Sequence, residues 1–558
     1  MHKQQVSPET LLMPDQDFNT PFVDENAPGL DRRYIPRTMR RMLLGVPLLF
    51  SFSIAAMLVT AFHHDGQLTA VEVILIVLMT LLAGWEAIPS ANAIIGFSSA
   101  KKVPPCETKN KLNVAILATI RDECARDVIA GKLNLLQSLQ QSLRHSFDLH
   151  VLSDSSTPTH VADEKRLVAA AFPVPIYYHH RTLNVDFKSG NIRNWISKYG
   201  ASYDAFIVLD ADSELDFKTA TRLADELAAD PACGLIQTVP VVRPGHTRWQ
   251  GLQSFGSRIY GELQGQGFAA WMGDTANYYG HNAIIRTKAF ATCAGLPHIT
   301  GRGLWNGCIL SHDFVEAALL RRAGWAVKLL PGSSGSFEQA PTDMIAHLKR
   351  DARWCLGNFQ HSRILWSAGL DAVSRFHLLS GIFTYVSSAV WLVTLFLWVL
   401  HDGARTDING VLAAAMFVLI AANIMLPRLV GVLYATRNQP SLKWAIVRAA
   451  ILEMILSSMI APSLMLQRVR IIGSVFANQK LHWPPLEKTS RSLVDYFSFH
   501  ALEVLLGLGL LAAVEHAFLT YWFTPIAICL VFTPLLSWRA GQGLPAVAHE
   551  NLNDITSL

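Results

Sequence analysis

The sequence predicts an α/β domain with a mixed, mainly parallel sheet, inserted in a polytopic α-helical membrane protein. Three observations carry this. Apolar residues make up 51% of the 558 and charged residues only 16%, and the apolar ones concentrate at 42–63, 72–98, 378–400, 411–433, 445–466 and 501–538. A bilayer core takes about 20 apolar residues of helix, so these are spans, and the stretch between them has ordinary globular composition. Within that stretch, short β-rich runs alternate with helical spacing, the signature of a parallel sheet. Several of those runs end in carboxylates, which places a ligand site at the carboxyl edge of the sheet.

Taken in order, residues 1–38 mix Pro, Asp, Asn and Gln without periodicity and read as a disordered cytoplasmic tail. Residues 39–100 read as two spans. Arg32, Arg33, Arg37, Arg40 and Arg41 precede the first, whereas the loop at 63–67 carries no Lys or Arg, so the N-terminus is expected in the cytoplasm. Lys101 and Lys102 mark the return, and residues 108–355 form the cytoplasmic domain. Its strands are read at 113–119, 148–153, 175–178, 205–209 and 233–238, with helices at 126–145 and 247–272. The seven cysteines show no Cys-x-x-Cys spacing, which argues against zinc and suits reduced cytosolic thiols. An interfacial helix is expected at 356–375 and two spans at 376–434. A single crossing at 443–478 would strand Arg468, Arg470, Lys480, Lys488 and Arg491 outside, against the positive-inside tendency. That segment is therefore read as re-entrant or interfacial, broken at Pro462 and carrying Glu453. A cytoplasmic loop at 479–497, two spans at 498–538 and a cytoplasmic tail at 539–558 complete the chain.

The chemistry centres on Tyr203–Ser213, where a buried strand breaks into Asp210-Ala-Asp212. Side chains at i and i+2 of an extended segment share a face, so both carboxylates meet one cation. Hard oxygen ligands of this kind suit Mg²⁺ or Mn²⁺ completed by phosphate oxygens. Alone, an Asp-x-Asp is as readily a polar strand end that merely turns. Asp122/Glu123, Asp154 and Lys188 fall at the ends of neighbouring elements, which favours a shared site. Asp313 opens a helix at 314–322, where an N-cap role and a catalytic one are compatible.

Asp154, Asp210-x-Asp212, Asp313 and Arg350-x-x-Arg353-Trp354, in that order between spans, resemble the D, DxD, D, QxxRW signature of processive family 2 glycosyltransferases. Lys188-Ser-Gly-Asn-Ile192, Gly280-His-Asn-Ala-Ile-Ile-Arg286, Ser311–Ala318, Arg321–Trp325 and Leu348–Cys355 are similar to the glucans biosynthesis glucosyltransferase H family. The resemblance implies a GT-A catalytic domain. It further implies an inner-membrane enzyme that polymerises glucose from UDP-glucose, with Mg²⁺ or Mn²⁺, into the β-1,2-glucan backbone of osmoregulated periplasmic glucans and exports it. On this basis Glu123 and Asp154 hold uridine, Lys188 and Asn191 the diphosphate side, Asp210 the ribose, and Asp210 with Asp212 the cation. Asp313 is the base; Arg350, Arg353 and Trp354 meet diphosphate and sugar; Gln237, His281, Asn282 and Trp354 meet the acceptor. The implied partners are UDP-glucose, the growing β-glucan, the lipid bilayer and periplasmic glucan-processing proteins, with no nucleic acid. In this chain the first strand ends in Thr119-Ile-Arg-Asp-Glu123, where relatives carry Pro-x-x-Asn-Glu, which leaves the role of Asp122 open. The absence of a Phe-x-Val-Thr sequence and of a cyclic-dinucleotide domain after the last span argues against a regulated cellulose synthase. A transporter driven by nucleotide hydrolysis needs a Gly-x-x-x-x-Gly-Lys-Ser/Thr loop, and none is present. Another membrane β-glucan synthase, making β-1,4 or β-1,3 bonds, or a polyprenyl-phosphate-linked transferase are the alternatives.

Overall fold

The computed structural model describes residues 10–29, 34–62, 67–100, 108–141, 144–171, 174–332, 335–402, 410–477, 491–515 and 523–544. The charges at Arg32, Arg33, Lys101, Lys102, Lys480 and Lys488, most of the loop at 63–67 and most of the segments 479–497 and 539–558 lie outside them. Helices α1 (Arg37–Phe62) and α2 (Ala70–Ser99) come first, and α2 is opened by a capping box of Thr69 and Glu72. The α/β domain follows as β1 (Asn113–Ile120), α3 (Ala125–Gln140), β2 (Ser146–Ser153), α4 (Pro158–Ala170), β3 (Ile176–His180), α5 (Phe187–Tyr199), β4 (Ala205–Leu209), β5 (Glu214–Leu215), α6 (Phe217–Ala229), β6 (Cys233–Thr238) and β7 (Val241–Val242). It continues through α7 (Arg248–Gly256), α8 (Glu262–Met272), β8 (Ala283–Arg286), α9 (Thr287–Cys293), α10 (His312–Arg322), β9 (Ala326–Leu330), β10 (Ser336–Glu338) and α11 (Met344–Ile364). Then come α12 (Ala372–Asp402), α13 (Gly410–Asn438), α14 (Lys443–Phe476), α15 (Leu493–Phe499), α16 (Ala501–Glu515) and α17 (Thr524–Gly541).

Seven strands form one sheet in the order β3-β2-β1-β4-β8-β6-β9. All neighbours are parallel except β8, which runs antiparallel to β4 and β6. Strand β4 is buried along its whole length, which explains why its five residues are apolar without alternation. The mainly parallel α/β domain within a set of long apolar helices is the fold class the sequence implied. A second sheet, β5-β10-β7, sits beside the first. The predicted helix at 247–272 is α7 and α8 joined through a π-helical turn at Ser257–Gly261. Helix α8 docks on α2 so closely that a Cβ on Gly267 would lie 2.1 Å from the Asn92 carbonyl oxygen, and one on Gly96 2.2 Å from that of Leu263. The α/β domain is thereby seated on the second apolar helix.

Among the described residues six helices are long and apolar enough to cross a membrane, and α15 with α16 forms a further pair bent by 65°. Three expectations change. First, no helix covers 356–375: α11 begins at Met344 and ends at Ile364, so the Arg-x-x-Arg-Trp motif lies mid-helix and a loop leads into α12. Second, 443–478 is not broken at Pro462. Helix α14 runs unbroken through Pro462, since one proline removes a single backbone bond that neighbours in a packed bundle offset. Both its ends touch the α/β domain: Ile446 and Ala450 pack with Phe255 and Ile259, while Ile471 and Val475 pack with Leu304, Met344 and Phe359. Arg468 adds an ion pair to Asp351 at 3.3 Å. Glu453, expected to mark a re-entrant polar segment, instead accepts the Tyr260 hydroxyl at 2.8 Å and pairs with Arg428 at 3.5 Å.

Third, the described part of the 1–38 tail is an extended segment fixed to the α/β domain. Gln16 donates to the Gly295 carbonyl at 3.0 Å, Arg322 donates to the Asp17 carbonyl at 2.8 Å, and the Trp325 indole donates to Asp24 at 2.9 Å. Such a segment needs no periodicity, because backbone and single side chains hold it. Glycine at 295 makes the approach possible, since a Cβ there would lie 1.9 Å from the Pro14 carbonyl oxygen. Gly295→Val is therefore expected to release the segment, with faster amide hydrogen exchange at residues 10–28 and about 1–3 kcal/mol lower stability in detergent melts.

Candidate active site

The carboxyl ends of the parallel strands β1, β2 and β4 lie at one edge of the sheet, the site cleft, where Asp313 of α10 comes beside Gly280 and Arg350 of α11 is near enough to act on Asp212. After Leu209 the chain leaves β4 as Asp210-Ala-Asp212. Thr119, at the end of β1, donates its hydroxyl to Asp210 Oδ1 at 3.1 Å. From the first turn of α5, Lys188 forms an ion pair with Asp210 and donates to the Gly280 carbonyl at 2.8 Å. Burial pushes the Asp210 carboxyl up, but Lys188, His281 and Thr119 together hold it below the usual carboxylate range. Asp212 goes the other way: burial and the Asp210 charge raise it, against the pull of His281 and Arg350. Two neighbouring carboxyls with opposite shifts are an arrangement that functional sites use. His281 bonds Ser213 Oγ through Nδ1 at 2.9 Å and faces Glu338 through Nε2 at 3.4 Å. Burial lowers this imidazole, yet Glu338 and Asp210 outweigh it and leave it raised.

Glu123 accepts the Arg121 backbone N–H. Burial lifts its carboxyl to about 7, and the charges of Asp210 and Asp212 add to the lift. Asp122, whose role the sequence left open, is structural. It sits at φ 57° and accepts the backbone N–H of Ser156 and Thr157 at 3.0 and 2.9 Å, bolting the end of β1 to the segment that opens α4. Asp154 is gripped by Arg181, from Nε at 2.8 Å and Nη2 at 2.7 Å, a bidentate pair joined by the Asn191 amide at 2.9 Å. Asn191 is thus tied to the Asp154 carboxylate, not free toward a diphosphate as expected.

Asp313 lies in the first turn of α10, where the helix dipole favours a carboxylate. The N-cap is Ser311, so the expected capping role for Asp313 is not met. Gly280, at φ +88°, lets the chain pass close by: its Cβ would lie 3.4 Å from Asp313 Oδ2. Burial raises the Asp313 carboxyl, with His312 opposing and Glu316 adding. On α11, Asp343 caps the first turn through the Ala346 N–H at 2.8 Å. Arg350, Arg353 and Trp354 then fall at i, i+3 and i+4 on one face. The Arg350 guanidinium lies over the Trp354 ring at 4.6 Å, and the indole is 47% exposed. Burial, then the charges of Arg350 and Arg121, lowers Arg353 to about 10. The adjoining face holds Asp351, bound to the Tyr385 hydroxyl at 2.9 Å, so α11 is fastened to α12.

Two of the expected acceptor residues are elsewhere. Gln237 is fully buried and spends its amide on the Thr238 and His281 carbonyls and the Tyr279 N–H, each at 2.9 Å. Asn282, also fully buried and at φ 52°, donates to Ser336 Oγ and the Phe337 carbonyl at 3.0 Å. Asn282 thereby joins the two sheets, and Gln237 ties the 279–281 segment to β6. The sequence reading also passed over Arg181 and Lys132. Lys132 is 4% exposed and donates to the Ala211 carbonyl at 2.8 Å, with burial lowering its ammonium to about 8. Its signal was available: it occupies the buried stripe of α3 formed by Ala125, Val128, Ile129, Leu135, Leu136 and Leu139.

Among the described residues no three His, Cys, Asp or Glu side chains converge to hold a metal ion. Asp210 and Asp212 are the neighbouring carboxylates that could meet one cation, with the rest of its shell left to ligand or water oxygens. That donor set suits Mg²⁺ or Mn²⁺ arriving with a phosphate ligand, and not a structural zinc.

The profile of the family described as "Glycosyl transferase family group 2" matches residues 205–430. A glucans biosynthesis glucosyltransferase H of Vibrio cholerae serotype O1 is 34% identical over 515 residues, covering 85% of this chain and 70% of that protein. One of Shewanella baltica is 34% identical over 553 residues, covering 90% and 74%. Among solved structures, a mannosyltransferase from Pyrobaculum calidifontis in complex with GDP-mannose and Mn²⁺ aligns at 14% identity with a TM-score of 0.44, covering 69% of this chain and 99% of that one.

Proposed function

Since this chain belongs to the glucans biosynthesis glucosyltransferase H family, we propose that it is a processive, inverting membrane glucosyltransferase that builds a β-1,2-glucan from UDP-glucose and exports it. The observation that supports this best is the single cleft in which Asp210 and Asp212, Asp313, and the Arg350, Arg353 and Trp354 face of α11 come together. In this reading the uracil end lies at Glu123 and Asp154, with Arg181 fixing the Asp154 carboxylate in place. Lys188 moves from Asp210 to the diphosphate when the donor arrives. A divalent cation held by Asp210 and Asp212 would neutralise charge on the departing UDP. Arg350 and Arg353 serve the same charge from α11, and the exposed Trp354 ring offers a flat apolar face to the acceptor sugar.

Asp313 takes the proton of the acceptor hydroxyl as that oxygen attacks the anomeric carbon, and the bond from carbon to UDP oxygen breaks on the opposite face. One displacement inverts the α-linked donor to a β-linked product. A carboxyl raised by burial makes a stronger base than a solvated one, and burial raises the Asp313 carboxyl.

We further propose that the α/β domain faces the cytoplasm and that α14 lies along the membrane surface without crossing it. About 44 Å of helix separates Ile446 from Val475. A helix crossing a hydrocarbon core of about 30 Å would carry one end away from the domain, whereas both ends touch it. Product chemistry and direction are tested together. Inside-out vesicles given UDP-glucose and Mg²⁺ are expected to accumulate in their lumen a β-1,2-linked glucan resistant to added glucanase. Linkage analysis giving β-1,4 or β-1,3 bonds would move the protein to another β-glucan synthase, and product confined to the outside medium would overturn export.

A further inference from the structure

A lysine in the middle of an otherwise apolar helical stripe needs a reason. Burying an ammonium costs several kcal/mol unless it is paired. Along α3, Val128, Ile129, Leu135, Leu136 and Leu139 point into the core, and Lys132 shares their face. Its ammonium emerges under the turn that carries the paired carboxylates and donates to the carbonyl of Ala211, the residue between them, at 2.8 Å. Asp210, Asp212, Glu123 and Glu214 all lie close enough to act on it. Glu214 also has an ion-pair partner in Arg243, at 2.5 Å, and Asp210 has one in Lys188, so Lys132 is one of several cations that face this acidic turn.

The turn is thus held by two lysines with different freedom. Lys188 approaches Asp210 from the cleft side with 22% of its side chain exposed, at the place where a cation and a diphosphate would enter. Lys132 approaches from the core side, is 4% exposed and is held by the Ala211 carbonyl. We infer that Lys132 is a positioning residue for the transferase site: by fixing the Ala211 carbonyl from within the core, it sets the spacing and direction of the Asp210 and Asp212 carboxylates and holds them ready for a divalent cation after Lys188 has left. Mg²⁺ tolerates little departure from octahedral geometry, so a loosened turn is costly for it. This inference rests on the reading that Asp210 and Asp212 hold the cation.

The test uses the full-length protein in detergent or vesicles, with Lys132→Met, Lys132→Gln and Lys132→Arg beside Asp212→Asn. Two readouts are followed: UDP release as a function of Mg²⁺ concentration, and calorimetric binding of UDP with Mn²⁺ or with chelator. Lys132→Met is expected to raise the half-saturating cation concentration and lower kcat, each by about tenfold or more, with UDP affinity in chelator unchanged. Lys132→Arg, which keeps charge and donor, is expected to recover most of the loss. Lys132→Gln, which keeps only the donor, should fall between, and it takes the place of the Met variant if that one fails to fold. Wild-type cation dependence in both Lys132→Met and Lys132→Gln, or in Lys132→Gln alone where the Met variant does not fold, overturns the inference. So does a folded Lys132→Arg no better than the variants without charge. If Asp212→Asn retains cation-dependent UDP binding, the cation reading itself is wrong; if it loses that binding while Lys132→Gln keeps wild-type cation affinity, only the inference fails.

Discussion

Asp212→Asn is expected to abolish sugar transfer, by about 10³-fold or more, while the protein stays folded and inserted. The substitution keeps shape and removes one charge from a pair of neighbouring carboxylates. Burial and the Asp210 charge raise the Asp212 carboxyl, so replacing it with a neutral amide relieves repulsion in the ligand-free protein. No such relief is available to the reaction. With a single carboxylate left, the cation has one protein ligand, and a cation bound that weakly leaves the charge on departing UDP uncompensated; a loss of about 4 kcal/mol in the transition state gives the stated fall. The measurement is UDP release across a Mg²⁺ titration, read beside detergent melting temperature. Turnover retained at ordinary Mg²⁺ would sink the assignment.

The parts of this site that were legible in the sequence are those where an apolar run ends in a charge. Strands β1, β2 and β4 are buried runs, and their terminal Asp and Glu residues had to lie at one edge once the sheet was parallel. Gln237 and Asn282 were misplaced for a reason of direction. His281 and Asn282 are adjacent, but the left-handed backbone at Asn282, φ 52°, turns its amide under the sheet to Ser336 and Phe337 while His281 faces the carboxylates. One-dimensional spacing does not carry that reversal. Arg181 was hidden because its partner lies 27 positions away on another strand, and a bidentate pair leaves no local pattern. The N-terminal segment was hidden because the glycine that admits it, Gly295, sits some 280 residues downstream of Pro14. For α14 the charge distribution argues against a simple crossing, whereas Pro462 was misleading as a break in the helix, because composition marks a helix-breaker without showing whether packing offsets it.

Asp313→Asn makes a different demand from Asp212→Asn, and the two together separate binding from chemistry. The Asp313 carboxylate stands in the first turn of α10, away from the 210–212 turn, with Lys188 and the Gly280 region between them. Removing its charge leaves the cation ligands and the nucleotide contacts untouched, so UDP and Mn²⁺ should bind the variant as they bind the parent. Proton abstraction has no substitute. His312, next in sequence, is turned toward Glu316 at 3.0 Å, and Glu316 is 2% exposed, so neither neighbour can take over as base. A loss of about 10²–10⁴-fold in elongation is expected, the range that a positioned general base contributes. Because burial raises this carboxyl, the parent's kcat/KM should decline on the acid side at a pH above the usual carboxylate range, as protonation silences the base. Single-turnover elongation, equilibrium UDP binding and this pH profile check the prediction together. If UDP affinity falls in step with activity, Asp313 supports the fold of the cleft and the base must be sought elsewhere, with Glu123 the next carboxyl to examine.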